Sequence, residues 1–314
     1  MMAESPTIKK IPKRRNRIDL YPYILVGPAV LIVLLVIGYP LVSNIWTSLH
    51  NGHLSSRDVD KWVGLRHYIN IFTDSELRSV ALTTLYISGS TAILGLITGL
   101  IGALFIERLK RFQAWVQVLL LTPWVLSGVI TGRVWSWLLD PIFGLANHWL
   151  LRFILTPFFG IQGPLELTSI HNTAAITVII ASAWKMFPFA FVMILAGLQS
   201  IPSELYEAAM VDGASYLQRM RFITLPFLRF ILIIVLLLSF VWSFNDFSII
   251  FVMTRGGPGF ITMVLPFRVY RYIVDGFRLG AGSALATVMV ILLSIIAITY
   301  IRLLKRQSEE GFIS

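Results

Sequence analysis

The sequence predicts an all-α, polytopic membrane protein with six transmembrane helices, and three observations carry that expectation. Of the 314 residues, 56% are hydrophobic and only 13% are charged, with a mean hydropathy of +0.78. A soluble chain of this size carries about 25% charged residues. Second, six apolar runs are long enough to cross a bilayer, for which a helix needs about 20 residues. Third, the formal charge of +10 comes from basic residues placed between those runs. A basic nucleic-acid binder would spread its charge and have few such runs, so no nucleic-acid partner is expected. Cysteine is absent, which excludes disulfides, cysteine-ligated zinc and thiol chemistry.

In chain order, a basic segment 1–21 precedes the first run, 22–46, which contains Gly27, Pro28, Gly38 and Pro40. Basic residues before an apolar stretch resemble a signal peptide, but a secretory core is only about 7–15 residues long and ends in small residues. This run ends in Asn44-Ile45-Trp46 and is read as a retained anchor. The second run, 80–106, carries Gly95, Gly99 and Gly102 at a spacing that lets a neighbouring helix approach closely. The third covers 113–139, the fourth 173–198 with Pro188 inside it, the fifth 226–251 and the sixth 283–303. Partner helices can satisfy the backbone groups that glycine and proline free at such depth. The six runs form one domain, 22–304, followed by a tail, 305–314. The connecting segments 47–79, 140–172 and 252–282 are too short to fold as separate domains.

Orientation follows the lysine and arginine bias. With the N-terminus inside, the cytoplasmic segments hold fourteen basic residues, clustered at 9–17, 108–111, 219–221 and 302–306, and the outer loops hold nine. An even number of spans places both termini in the cytoplasm of a cytoplasmic (inner) membrane.

The segment 199–226 between the fourth and fifth runs has its own local logic. Ile201-Pro202-Ser203-Glu204 reads as a helix start, with proline early, Ser203 as the cap and acidic residues in the first turn. Gly213 is placed to end that helix with a left-handed residue, and Pro226 to begin the next span, where a missing N–H costs little. A helix, a glycine turn and a second helix make a compact cytoplasmic knob.

The same segment reads Glu207-Ala208-Ala209, three residues, Gly213, nine residues, then Ile223-Thr224-Leu225-Pro226. It resembles the EAA loop of ATP-binding-cassette importer permeases at every fixed position. Trp62-Val63-Gly64-Leu65, Gly144-Leu145-Ala146-Asn147, Thr254-Arg255-Gly256-Gly257-Pro258 and Leu279-Gly280-Ala281-Gly282-Ser283-Ala284 are similar to the branch that takes up maltose and glycerol-3-phosphate. The resemblance covers most of residues 20–304. It implies the type I importer permease fold and a second, homologous permease subunit. It also implies two ATPase subunits that hold the ATP and magnesium, and an extracytoplasmic binding protein that delivers a sugar-type solute. The ATPases would dock on Glu204, Glu207, Ala208, Ala209, Asp212, Gly213 and Ala214. This chain itself would hold no cofactor.

Charges at bilayer depth face the bundle interior and mark pathways. Lys185 lies mid-span, and Asp246 follows Trp242, Ser243 and Asn245, a mixture of ring faces and hydrogen-bonding groups suited to a sugar. The resemblance adds Trp124, Gly128, Ser182 and Met186 as positions that line the pathway in the maltose-type permease. Lys185 there replaces an apolar residue, and Ser243 and Asp246 replace amides, so the pocket chemistry differs. Lys185 and Asp246 could alternatively neutralise each other.

No G-x-x-x-x-G-K-[ST] phosphate loop occurs, and no acid, base, nucleophile or metal-ligand constellation suggests a membrane enzyme. His50, His53, His67, His148 and His171 fall singly in or beside outer loops. The rival reading is an ion-coupled secondary transporter using Lys185 and Asp246 as a proton relay, which would not need the EAA loop. The topology is checked with reporter fusions: those at residues 110 and 215 are expected to report cytoplasm, and those at 60, 160 and 265 the outside. An outside signal at 215 would remove any access of ATPases to the knob.

Overall fold

A computed structural model describes residues 21–53, 60–109, 111–150, 152–153, 156–159, 166–169 and 171–310. The basic N-terminal segment and the last four residues of the expected tail lie outside the described residues. The chain divides into two compact units, Met1–Trp46 and Thr47–Ser314.

The first span is α1 (Tyr21–Val33), a π turn (Leu34–Gly38) and α2 (Tyr39–Ser48). The widened turn, closed by a bond from Tyr39 N–H to the Leu34 carbonyl, ends just before Pro40, which has no N–H to continue the ordinary ladder.

The second unit begins with α3 (Arg66–Thr73) and α4 (Ser75–Arg108). Asp74 caps α4 by accepting from the Glu76 and Leu77 N–H groups at 2.8 and 3.4 Å. Then follow α5 (Gln113–Val125), α6 (Gly128–Leu138), α7 (Leu145–Leu150), α8 (Thr156–Phe159) and the long α9 (His171–Gln199). The remainder is α10 (Ser203–Val211), α11 (Tyr216–Arg219), α12 (Leu225–Asn245), α13 (Ser248–Met253), α14 (Leu265–Tyr270) and α15 (Leu279–Glu310). Among the described residues the extended pairings are two isolated bridges, His50 with Trp62 and His53 with Arg278.

The centre of this unit is the pair α4–α9, with α12 against both, α5 and α6 against α9, and α13 against α6. The register shows that α4 and α9 run in the same direction. Gly95 faces Met186, Gly99 faces Ala190 and Gly102 faces Phe191. The expected close approach is therefore met, most tightly at Gly99. A Cβ there would stand 2.6 Å from the Ala190 Cβ and 2.8 Å from the Phe191 backbone nitrogen. Two apolar clusters fill the unit. One gathers Leu77, Val80, Ile87, Val178, Phe244 and Leu265, and the other Ala103, Ile106, Ala190, Ile194, Leu198 and Leu228. They occupy opposite ends of α4 and α9, leaving a middle layer around residues 91 and 182–186.

Two expected spans are corrected. The run 113–139 is not one helix: α5 and α6 meet at a bend of 100°. Pro123 removes a ladder donor near the end of α5, Leu126 is extended, and Ser127 caps the new helix by accepting from the Ile130 N–H. The run 226–251 also breaks, at Asp246, where α12 ends and α13 starts. Among the described residues five helices are long and apolar enough to cross a membrane, and the bent pair makes up to six, so the helical, six-span architecture holds with the third span bent and the fifth ending at Asn245.

Gly99→Ala should force α4 and α9 apart and cost about 1–3 kcal/mol by overpacking. Gly89→Ala, where nothing lies within 4 Å of the added carbon, should be neutral. Thermal denaturation of the two purified variants checks the contrast.

Candidate functional site

The knob is built by α10, a glycine turn and α11. Its helix start differs from expectation. Pro202 occupies the cap position without a side-chain bond, and Ser203 is the first helical residue. The real serine cap is Ser215 on α11, whose Oγ accepts from the Gln218 N–H while Gln218 Oε1 accepts from the Ser215 N–H at 2.6 Å. That reciprocal pair is a capping box. The end of α10 is closed as the sequence indicates. Gly213 has φ +78°, its N–H donates to the Met210 carbonyl, and the Ala214 N–H donates to Ala209 at 2.8 Å. These two bonds form a Schellman closure.

Two contacts anchor the knob to the bundle. Tyr206 and Thr224 share a hydroxyl–hydroxyl bond of 2.9 Å, and the Arg108 guanidinium at the end of α4 lies 4.2 Å from the Tyr216 ring centroid. From Tyr216 a continuous helix of 30 residues runs to Asn245. A π turn, Met220–Thr224, absorbs the donor missing at Pro226. Glu204, Glu207, Ala208, Asp212 and Gly213 are exposed, with Ala209 and Ala214 half-buried. Beside them Met210 and Val211 are 52% and 88% exposed, an apolar tip framed by carboxylates.

In the middle layer, Ser182, Lys185, Met186, Ser243 and Asp246 line one cavity of about 30 Å³ together with Thr91. The Lys185 Nζ lies 3.4 Å from Asp246 Oδ2, with both side chains partly exposed. The other oxygen, Oδ1, accepts from the Ser248 N–H at 2.8 Å. Asp246, one residue before the α13 cap position, therefore satisfies the first N–H of α13 while pairing with α9. Gly128 at the start of α6 packs on this break, and a Cβ there would stand 2.7 Å from the Ser248 Cβ. A cavity of this volume holds a water molecule; it does not enclose a sugar.

The other expected pathway residues fall elsewhere. Trp242 and Trp124 do not line the cavity; both pack on Phe189, at centroid distances of 4.6 and 6.1 Å, and remain 42% and 48% exposed. Asn245 turns back to donate to the Val241 carbonyl. The remaining intraspan charges, Arg133 and Arg229, are exposed.

Sequence reasoning missed Thr91. Its Oγ1 is fully buried and has no hydrogen-bond partner among the described residues, and it belongs with Thr84 and Ser88 to a buried stripe on α4. Polar residues four and three apart on one helix face inside an otherwise apolar run were the available signal.

The profile of a family described as "Binding-protein-dependent transport system inner membrane component" matches residues 93–309. The chain is 32% identical over 285 residues to the trehalose/maltose transport system permease protein of Thermococcus litoralis, covering 89% of this chain and 92% of that protein. It is also 32% identical over 302 residues to the sulfoquinovosyl glycerol transport system permease protein of Agrobacterium fabrum, covering 95% and 96%. In fold it is similar to a chain of a bacterial ABC transporter that imports alginate, with a TM-score of 0.75 and 22% identity over 92% of this chain and 96% of that one. The match over most of the chain, with relatives of nearly equal length, establishes that this protein belongs to the family of binding-protein-dependent transport system inner membrane components.

Proposed function

We propose that this chain is the permease subunit of an ATP-driven importer that moves a sugar or related polar solute across the cytoplasmic membrane by alternating access. The observation that carries the reading is the complete EAA-type loop folded as a closed, doubly anchored knob. A helix–turn–helix pinned by a Schellman closure and a capping box moves as a body, so a force on its tip reaches α4 and α12 through Arg108–Tyr216 and Tyr206–Thr224. The sugar class is supported by the solutes for which the relatives are named, trehalose or maltose and sulfoquinovosyl glycerol.

In this reading two ATPase subunits bind ATP and magnesium and grip the knobs of this chain and of a second, homologous permease subunit. Glu204, Glu207 and Asp212 frame the contact, and Met210 and Val211 insert. An extracytoplasmic binding protein delivers the solute at the other membrane face. ATP binding draws the knobs together and favours the outward-facing state; hydrolysis releases it. The nucleotide acts by binding the two states unequally. A single chain leaves only a water-sized cavity around Lys185 and Asp246, so the pathway requires the second subunit's wall. Trp124 and Trp242, exposed around the buried Phe189 ring, are available to form that wall.

The knob assignment is tested by Glu207→Lys and Val211→Asp. Both should leave membrane insertion intact and strip the ATPase subunits on purification; normal co-purification and uptake would overturn it. The pair is tested by a double-mutant cycle. Asp246→Ala removes both the partner of Lys185 and the acceptor for the first N–H of α13, so it should impair uptake more than Lys185→Ala. If the pair is structural, Lys185→Ala/Asp246→Asn, which keeps an acceptor for the Ser248 N–H, should recover most of what Lys185→Ala loses. Unchanged uptake and selectivity in both single variants would place the pathway elsewhere.

A further inference from the structure

At the end of α4 opposite the knob lies a second, larger cavity of about 400 Å³. It sits between α3, the start of α4, α14 and the start of α15, and His67, Asn70, Asp74, Arg268, Tyr272 and Arg278 supply its polar lining. The 34 residues of α4 extend about 51 Å, more than the hydrocarbon thickness of about 30 Å. With the knob in the cytoplasm, this cavity opens on the extracytoplasmic side.

Its walls are fixed by short-range contacts. The Arg268 Nη2 lies 2.8 Å from Glu76 Oε1. The His67 Nε2 donates to the His50 carbonyl at 3.1 Å, and the Leu279 N–H donates to the Gly52 carbonyl at 2.9 Å. Gly280 lies so close to the His50 and Asn51 carbonyls that no side chain fits there. The cavity is thus preformed.

Its charge is unbalanced. The two framing segments, 66–78 and 265–284, carry five arginines and three carboxylates. Arg268 is committed to Glu76, and Arg271 to Asp275 at 3.4 Å. Asp74 caps α4 with Oδ1 and keeps its negative charge in the lining, so the excess over the two framing segments is two positive charges. Burial, reinforced by the fields of Arg278 and Arg66, holds the His67 imidazole below its ordinary pKa, so it adds no charge near neutrality. Arg278 is exposed and has no carboxylate partner among the described residues; its guanidinium lies 5.4 Å from the Tyr272 ring centroid. The Arg268 guanidinium lies 5.0 Å from the same ring. With two cations already on Tyr272, the pocket offers no free aromatic platform for a sugar ring. It offers a planar donor fork, which suits a carboxylate.

We infer that this cavity is a socket for an acidic side chain of the solute-binding protein, with Arg278 as the residue that receives it. The inference rests on the importer reading above and adds the position and chemistry of the docking contact. Exposed charges of this kind act on encounter and register, so the effect should appear in the concentration of binding protein required.

The test uses the assembled transporter in lipid nanodiscs, with ATP hydrolysis titrated against solute-loaded binding protein. Arg278→Glu should raise the half-saturating concentration about tenfold, equivalent to ~1.4 kcal/mol, with the maximal rate unchanged. It should also remove much of the salt dependence. Arg278→Lys should recover most of the loss. Arg78→Glu, at an exposed arginine of the same end outside the cavity lining, should shift the titration far less. An unshifted Arg278→Glu titration would overturn the inference. So would equal shifts for both arginines, which would mean a diffuse field. A lowered maximal rate at unchanged half-saturation would also overturn it, by placing Arg278 on the solute's own route. Wild-type transporter that hydrolyses ATP but ignores loaded binding protein would overturn the importer reading itself, and this inference with it.

Discussion

The close seam between α4 and α9 is the contact on which the second unit depends. Gly99 lets the two backbones approach until Ala190 and Phe191 fill the space a side chain would occupy. Between helices in lipid there is little hydrophobic gain from association, so packing of small residues supplies much of the attraction. With that seam set, α4 becomes a rod whose two ends do different work. One end carries the Asp74 cap and the arginine-rich cavity, the other the Arg108 contact to the knob. The α12 helix then packs on both rods and brings Asp246 level with Lys185.

Broken helices at bilayer depth need every freed backbone group satisfied from within the protein. Among the described residues two such breaks face each other. Ser127 caps α6 and Asp246 accepts the first N–H of α13, while Gly128 and Gly132 allow the two short helices to touch. The polar layer between the two apolar clusters is therefore at least in part a by-product of how the breaks are closed. Asp246 serves both ends, which is why removing its charge and removing its acceptor are different experiments.

The architecture was legible in the sequence because bilayer thickness dictates the length of an apolar run. The glycine spacing 95, 99, 102 and the turn at Gly213 also read correctly, since each rests on a local steric requirement. The breaks did not. Hydropathy through Val125-Leu126-Ser127-Gly128 and across Asn245-Asp246-Phe247 stays compatible with a span, and only the cap geometry shows the chain leaving the helix. Serine before an acidic first turn commonly caps a helix, which is why the sequence points to Ser203, but Pro202 occupies the cap position and Ser203 is already helical. The pathway set split for a tertiary reason. Trp242 and Ser243 are neighbours in sequence, but adjacent residues on a helix point about 100° apart, so one packs on Phe189 while the other lines the cavity. The outer cavity was invisible as well, because its walls come from segments about 200 residues apart.

The exposed tip of the knob has a consequence for the life of the protein before it is assembled. Val211 is 88% exposed and Met210 52%, and neither can retract, because the Schellman closure and the capping box fix the turn that presents them. In the importer reading proposed above, a copy made without its ATPases keeps this apolar spot uncovered, and exposed apolar surface of that kind favours aggregation. On that reading the dosage of this subunit is tied to that of the ATPases that cover it.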